Sequence, residues 1–556
     1  MTTVVAVLVE THGKQEFLFS TGKRRESVGA SQLVADVPRW ALGEIADQTD
    51  QADRTDRAGS IAEGAEVEIL LRTSGTFLAF CRSAHTAREL VTSVTTRALI
   101  EAPGLAVTGV VGEPFEWDSG AAPASVRAVF AEMANVRVGV PSTATRFPVL
   151  PVTALCPSSA LPAAELVSMG AGTELRSAVS AAKWRAAERA YVRLAADSGL
   201  SKANVRDAIR RLDGDDPQSP ERVAVVHADG NGLGALIANL GRLLVDDGDP
   251  KPDTTYAARY REFSETLDTA SKDAFRDAVG RLAATTGRKP DVLPLVLGGD
   301  DLTFVADAAV APELTRHFLT TFVEYAATRD GVAGPVRQQT GDPRLGIAAG
   351  IAIVPPHFPF AAAYRLAEEL LSDVAKSAKT RLVDVHDRPV PSVSLAVHVH
   401  IDSTASTVGQ LQADLAVPGG LLTAAPYVHQ VRPDDQPVDR VLSGPAEAWL
   451  AGRGLDQLWS LAAALVERDA NGRRVRPSAQ LHELRARLRL GRTTAQEYFR
   501  RLRSADANRW AALDPLFTER DGGPATTMLL DAMALAPFLD LAGAATAHDE
   551  PESSHA

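Results

Sequence analysis

Two apolar runs, 293–297 and 302–304, are joined in this chain by Gly298-Gly299-Asp300-Asp301, and that junction limits the fold more than any other feature. Apolar runs meeting at a Gly-Gly tip pair as an antiparallel hairpin, because glycine takes the tight turn without a side-chain penalty. Asp300 and Asp301 then sit where the backbone turns. Upstream, a buried-strand run at 223–227 leads through Ala228 into Asp229, Gly230, Asn231, Gly232 and Gly234. A sheet that sets this strand beside the hairpin gathers three carboxylates on one edge.

The elements around these segments follow an order: strand 223–227, helix 233–244, an acidic loop, helix 257–284, the hairpin, helix 313–327, strand 345–354 and helix 361–378. The same order stands earlier in the chain. There, strand 4–9 precedes a helical stretch at 30–45, an acidic loop at 47–56, a hairpin of 67–71 and 77–80 about Ser74-Gly75, helix 84–99 and strand 105–111. The recurrence predicts an α+β protein made of two ferredoxin-like palm domains, each β-α-β-β-α-β with a four-stranded sheet and helices on one face. The expected boundaries are 1–150 for a first, non-catalytic palm and 151–215 for a helical linker. A palm carrying the Gly-Gly-Asp-Asp hairpin spans 216–400, a mostly helical domain 401–540, and a frayed tail 541–556.

With 556 residues the chain exceeds a single hydrophobic core. Its 45% hydrophobic and 23% charged residues are those of a globular protein. No apolar run reaches the roughly 18 residues of a spanning helix, and the first strand lacks a basic start or cleavage pattern, so a cytoplasmic protein without a membrane partner is expected. Two cysteines, Cys81 and Cys156, exclude a disulfide framework or a four-cysteine zinc site. A formal charge of −12 argues against indiscriminate duplex binding. It leaves room for a local basic groove, for which Arg485, Arg487, Arg489, Arg492, Arg500, Arg501 and Arg503 are the candidate, weighed against a solvated or partner-facing helix.

Carboxylates brought together without partners repel and take up protons unless a divalent cation holds them ionised. Oxygen-only ligands select Mg²⁺ or Mn²⁺, and two such ions about 3.5–4 Å apart serve nucleotidyl transfer. Asp229, Asp300 and Asp301 are therefore the candidate catalytic and metal-ligating residues. Gly230, Asn231, Gly232, Gly234, Gly298 and Gly299 are candidates for close approach of backbone to phosphate. Lys376 and Lys379 are candidate cations for a triphosphate or, equally, a solvated helix end. Three other readings compete. The hairpin is compatible with an ordinary turn. Residues 230–235 with Asp246 or Asp247 fit a loose dinucleotide fingerprint. His398 and His400 alternate on one strand face, as a metal pair or as two surface imidazoles.

On these residues the chain resembles the large polymerase-cyclase subunit of type III CRISPR effector complexes and, more distantly, GGDEF-type nucleotide cyclases. The segment from Lys14 to Ser31 is similar to that family's opening signature. Asp229 to Gly234, Gly298 to Asp301, Gly346-Ile-Ala-Ala-Gly-Ile-Ala-Ile353 and Ala375-Lys-Ser-Ala-Lys379 are similar to its catalytic palm. Thr423-Ala-Ala-Pro-Tyr427 and Leu529-Leu-Asp-Ala-Met-Ala-Leu535 are similar to segments nearer its C terminus. The resemblance implies two palms meeting over two ATP molecules, joined 3′ to 5′ and closed into a cyclic oligoadenylate. Asp229, Asp300 and Asp301 would be the metal ligands, and Gly29 and Ser31 of the first palm would touch the acceptor nucleotide. Two departures follow from the sequence. No helical His-Asp nuclease domain stands before the first palm, so single-strand DNA cleavage is not expected. Cys156-Pro-Ser-Ser159 has one cysteine where relatives have a zinc-binding pair, which reads as a degenerate remnant.

The resulting expectation is a Mg²⁺- or Mn²⁺-dependent cyclase, holding two ions, that uses ATP to make a second messenger in antiviral defence. Its product would diffuse to a downstream effector; the two departures suggest a compact stand-alone member as readily as a subunit whose partners are RNA-guided effector subunits and RNA. Two alternatives stand beside it: a nucleotide-binding scaffold of a ribonucleoprotein without turnover, and a GGDEF-like enzyme using GTP.

Overall fold

The computed structural model describes all residues except 1, 48–58, 74, 142, 170–171, 215, 401–406, 430–441, 521 and 540–556. The acidic loop expected beyond Asp47, Ser74 of the first hairpin and the expected tail at 541–556 lie outside the described residues.

The first sheet has β1 (Thr3–His12), β2 (Val67–Thr73), β3 (Thr76–Cys81) and β4 (Ala106–Val111) in the antiparallel order β2-β3-β1-β4, with a short β5 (Phe115–Glu116) on the start of β1. This is the strand order of a β-α-β-β-α-β unit. Val4 to Val9 are all buried, so β1 needs cover on both faces, and the cover differs from the expected single helical layer. A side chain at Gly109 would meet Val91 of helix Ala84–Glu101, whereas one at Gly112 would meet Val129 of helix Ala122–Gly139. That second helix buries Val126, Val129 and Met133 against the opposite face.

In the linker, β6 (Glu165–Ser168) and β7 (Thr173–Arg176) form a hairpin, followed by helices Ala178–Ser198 and Lys202–Leu212. The second sheet contains β8 (Val223–Gly230), β9 (Val292–Gly298), β10 (Asp301–Asp307), β11 (Ile347–Val354) and β12 (Val393–Val399). Its order is β12-β11-β8-β10-β9, with Tyr427–His429 added outside β12. The run β11-β8-β10-β9 repeats the order of the first sheet. β12 joins β11 in parallel, which a crossover through helix Phe360–Glu369 allows.

The two halves share one hydrophobic core rather than two. Helix Arg24–Asp47 of the first half lies along helix Ala178–Ser198 and touches β9 of the second. Helix Pro252–Thr286 of the second half lies on β2 of the first. Each half also caps a helix of the other. Asp118 accepts from the backbone N–H of Thr254 at 3.0 Å, near the start of helix Pro252–Thr286. Buried Asp253 accepts from the N–H groups of Gly120 and Ala122 at 3.1 and 2.9 Å, at the start of helix Ala122–Gly139. Beyond residue 407 the chain is mainly helical, with helices Leu455–Val466 and Leu529–Leu539 packed together and a small four-stranded sheet between helical segments. Among the described residues no helix is long and apolar enough to cross a membrane.

Candidate functional site

β8 and β10 pair with Ala228 opposite Leu302, so one step further along both strands Asp229 arrives beside Asp301. The space between them depends on glycine. A Cβ at Gly230 would lie 2.8 Å from the Asp300 Cβ, and one at Gly298 would lie 2.7 Å from Asp268 Oδ1. Gly299 turns the hairpin at φ +63°, in the left-handed region that a side chain disfavours. After Asp229 the chain turns through Gly232 at φ +80° into helix Leu233–Leu243, and the Asn231 N–H donates to the Gly346 carbonyl at 2.7 Å.

The carboxylates open on a cavity of about 300 Å³ between the two halves. The first half contributes Lys14, Leu71 and Thr73. Leu233, Ile237 and Val296 of the second half line it, as do Tyr260, Phe263, Ser264 and Leu267 from helix Pro252–Thr286. One side is thus acidic and the other apolar, a suitable lining for a ligand with a charged end and a flat apolar end.

The acidic side carries unmet charge. Burial, then the neighbouring Asp229 and Asp301 carboxylates, push Asp300 up to about 7. Burial also raises Asp301, against the opposing pull of His227 and Lys14. Asp301 Oδ1 is buried without a hydrogen-bond partner, the nearby His227 Nδ1 being 3.8 Å away and bonded to Thr303 Oγ1 at 2.8 Å. Asp229 is held differently, through an ion pair between its Oδ2 and the Lys376 ammonium. Among the described residues no three acidic, histidine or cysteine side chains close around one point. The donors are all hard carboxylate oxygens, and Asp301 Oδ1 is buried without a hydrogen-bond partner, which fits Mg²⁺ or Mn²⁺ in chemistry.

Lys376 does not stand on the continuous helix expected over 361–378. A π turn at Leu370–Val374 and a 3-10 turn at Ala375–Ser377 follow helix Phe360–Glu369. Gly350 of β11 explains the close seating of this segment: a Cβ there would lie 2.1 Å from the Ala367 carbonyl oxygen and 2.6 Å from the Leu371 nitrogen. The wider turn keeps both Leu370 and Leu371 buried on the sheet.

Several expected residues lie elsewhere. Gly29 is a helix-packing position, since a Cβ would fall 1.7 Å from the Lys183 carbonyl oxygen. Ser31 is buried between the halves, where its hydroxyl donates to the Leu295 carbonyl and accepts from Arg193 Nη2 at 2.6 Å. Neither lines the cavity. Lys379 is exposed, as are Gly232 and Gly234 at the start of helix Leu233–Leu243. The dinucleotide alternative fails because helix Leu233–Leu243 leads through exposed Asp246 and Asp247 into another helix, without the strand that would carry the ribose-binding acid. His398 and His400 do share a face, with rings 5.9 Å apart and His398 pushed down to about 4 by burial and then by its neighbour. In the arginine cluster, Arg487 pairs with Glu483, Arg492 with Glu519 and Arg503 with Asp514.

At the degenerate cysteine motif, Ser158 donates to the buried Glu26 carboxylate at 3.1 Å. Glu26 also accepts from Ser180 at 2.7 Å and from Arg176 at 2.9 Å. Cys156 Sγ lies 3.4 Å from Ser158 Oγ. One thiol among hydroxyls and a satisfied ion pair does not fit a zinc site. Sequence reasoning missed Lys14, Thr73, His227, Tyr260, Phe263 and Ser264 as residues of the site. Lys14 lay inside the opening signature, but nothing in its spacing aimed it at the other half.

Residues 222–382 match the family model for the second palm domain of Cas10/Cmr2. No curated protein matches. The chain is similar to a solved Csm1-Csm4 cassette in complex with AMPPNP, at 12% identity and TM-score 0.47, covering 97% of this chain and 70% of that one. It is also similar to a Csm1-Csm4 cassette in complex with cA4, at 13% identity, TM-score 0.45 and the same coverage. For the Csm1-Csm4 subcomplex in the type III-A CRISPR-Csm interference complex the values are 11% and 0.47, again with 97% and 70% coverage.

Proposed function

We propose that this chain, whose residues 222–382 match the Cas10/Cmr2 second palm domain, is a metal-dependent nucleotidyltransferase that joins ATP molecules 3′ to 5′ and closes them into a cyclic oligoadenylate. The observation that carries the reading is the meeting of Asp229, Asp300 and Asp301 on one side of a cavity whose other wall is apolar. A scaffold has no physical use for clustered carboxylates whose protonation is favoured by burial and then by mutual repulsion.

Asp229, Asp300 and Asp301 would hold two Mg²⁺ or Mn²⁺ ions, which supply neutralisation of phosphate charge and activation of a 3′-hydroxyl. The remaining tasks belong to the chain itself. The Lys376 ammonium lies within reach of a triphosphate bound beside Asp229. The N–H groups opening helix Leu233–Leu243 favour an anion there, and exposed Gly232 and Gly234 leave the approach clear. Leu233, Ile237 and Phe263 give a base an apolar wall that excludes water. Lys14 and Thr73 bring the first half to the same cavity, which supports a site where two nucleotides meet at the junction of the palms. The wider setting of this reading is a type III CRISPR effector complex, with other effector subunits and RNA as partners and a second protein answering the released product.

The test is incubation of the purified chain with labelled ATP and Mn²⁺, with and without RNA, followed by mass spectrometry of the product. Cyclic oligoadenylate is expected from the wild type, and a loss of at least about 100-fold on Asp300→Ala plus Asp301→Ala. No pyrophosphate release under any condition refutes the enzyme, and preferential use of GTP in a mixture refutes the choice of ATP.

A further inference from the structure

Lys376 occupies a contested position. Its ammonium is paired with Asp229 Oδ2, and its charge also bears on Asp300 and Asp301. The pair is only partly exposed, 25% for the lysine side chain and 30% for the aspartate, so neither partner is fully solvated when alone. The backbone beneath it is fixed: the π turn and the 3-10 turn are seated on β11 at Gly350, and Ser377 Oγ donates to the Val374 carbonyl at 2.6 Å. The side chain is not fixed in that way, since an ammonium on a flexible four-carbon stem can exchange one anion for another without moving the main chain.

An ammonium and a divalent ion compete for one carboxylate oxygen, because both draw on the same lone pairs and repel each other. Binding of an ion at Asp229 therefore displaces Lys376. The displaced ammonium is left in a partly desolvated place with no anion, a cost that a nucleoside triphosphate removes by supplying one. π turns of this kind concentrate at functional sites, and this one sets Lys376 between the two ligands.

We propose that Lys376 makes divalent-ion binding and triphosphate binding interdependent: it guards Asp229 in the ligand-free protein and transfers to the triphosphate when one arrives. The inference rests on the reading of Asp229, Asp300 and Asp301 as metal ligands. By linkage each ligand then strengthens the other's binding by the same factor. Its consequence is that the site loads as a unit, with little ion bound until a nucleotide is present.

The test measures two affinities of the full chain separately. Mn²⁺ alone is titrated by electron paramagnetic resonance, and α,β-methylene ATP alone, in chelator, by calorimetry. Lys376→Met is expected to tighten Mn²⁺ and weaken the nucleotide, each by about fivefold or more. A general loss of structure would move both the same way. Lys376→Arg, which keeps the charge, should stay nearer the wild type in both. Lys379→Met removes the same charge from an exposed position of the next turn and should change either by less than about twofold. If Lys376→Met leaves Mn²⁺ affinity unchanged or weakens it while Asp229→Asn abolishes it, the guarding role is wrong and the metal site stands. If Asp229→Asn leaves Mn²⁺ binding intact, the metal reading itself fails and the inference falls with it.

Discussion

Replacing Gly350 by alanine adds one methyl group at a place where the backbone of the following helix leaves none. The new carbon would stand 2.1 Å from the Ala367 carbonyl oxygen, 2.6 Å from the Leu371 nitrogen and 3.0 Å from the Leu370 Cβ. Two of these three atoms are backbone, so relief requires the helix to lift from β11 by more than 1 Å, about the deficit from an ordinary 3.4–4 Å contact. β11 is buried along its whole length and pairs with both β8 and β12, which removes yielding by the strand. Overpacking of this kind costs about 1–3 kcal/mol, and the rigid neighbours place this case at the upper end. A drop of several degrees in the thermal midpoint follows, at roughly 2–4 °C per kcal/mol for a large domain. Lifting the helix also draws Lys376 from Asp229, so metal-free binding of α,β-methylene ATP should weaken. The assay is calorimetric melting beside nucleotide titration, with exposed Gly280→Ala as reference, since nothing lies within 4 Å of a Cβ there. Melting and binding both equal to that reference would refute the argument that Gly350 seats the lysine.

Two further predictions concern buried charge. Burial raises the Asp531 carboxyl to about 6 from an ordinary 3.8, with Tyr427 and Thr423 donating to it. The folded protein thus holds that proton more tightly than the unfolded chain, and the associated stability, on the order of 3 kcal/mol, is complete below about pH 4 and gone above about pH 6. Asp531→Asn should gain on the wild type across that interval in urea titrations, and a constant difference from pH 4 to 7 would count against it. Glu26→Gln removes the buried partner of the Arg176 guanidinium and leaves it the half-exposed Glu174, at a cost of about 1–3 kcal/mol that the same urea titrations read as a lower midpoint. Because Ser159, at the position of the missing cysteine, is hydrogen-bonded to Ser177 at 3.0 Å, chelator should leave the wild-type melting curve unchanged, and stoichiometric zinc in the purified chain would overturn that account.

Where alternation or burial pattern decided an element, the sequence was legible. β1, β8 and the hairpin at Gly298-Gly299 fall within a few residues of expectation because their apolar runs and turn glycines have few alternative uses. Helix Ala122–Gly139 escaped because its apolar residues, Val126, Val129 and Met133, are spaced among small side chains that weaken the periodic signal. The π turn before Lys376 depends on contact with Gly350, which lies on another element and has no local signature. The same limit applies to the cavity wall. Tyr260, Phe263 and Ser264 read as one helix face, and only the packing of that helix between β9 of its own half and β2 of the other turns the face toward the carboxylates. Gly29 and Ser31, which pack against Lys183 and Leu295, show the converse ambiguity, since small residues that admit another helix have the same appearance in a sequence as small residues that admit a ligand.

The reciprocal caps at Asp118 and Asp253 bear on how a substrate enters. Each half terminates a helix of the other, and Trp117 Nε1 adds a bond to Thr254 Oγ1 at 3.1 Å. Swinging the halves apart as a clamshell would strip several main-chain donors at once and expose a core that runs through both. Admission to the cleft is thereby assigned to side-chain rearrangement at its rim, and a guest of any size is met by walls already standing in their working positions.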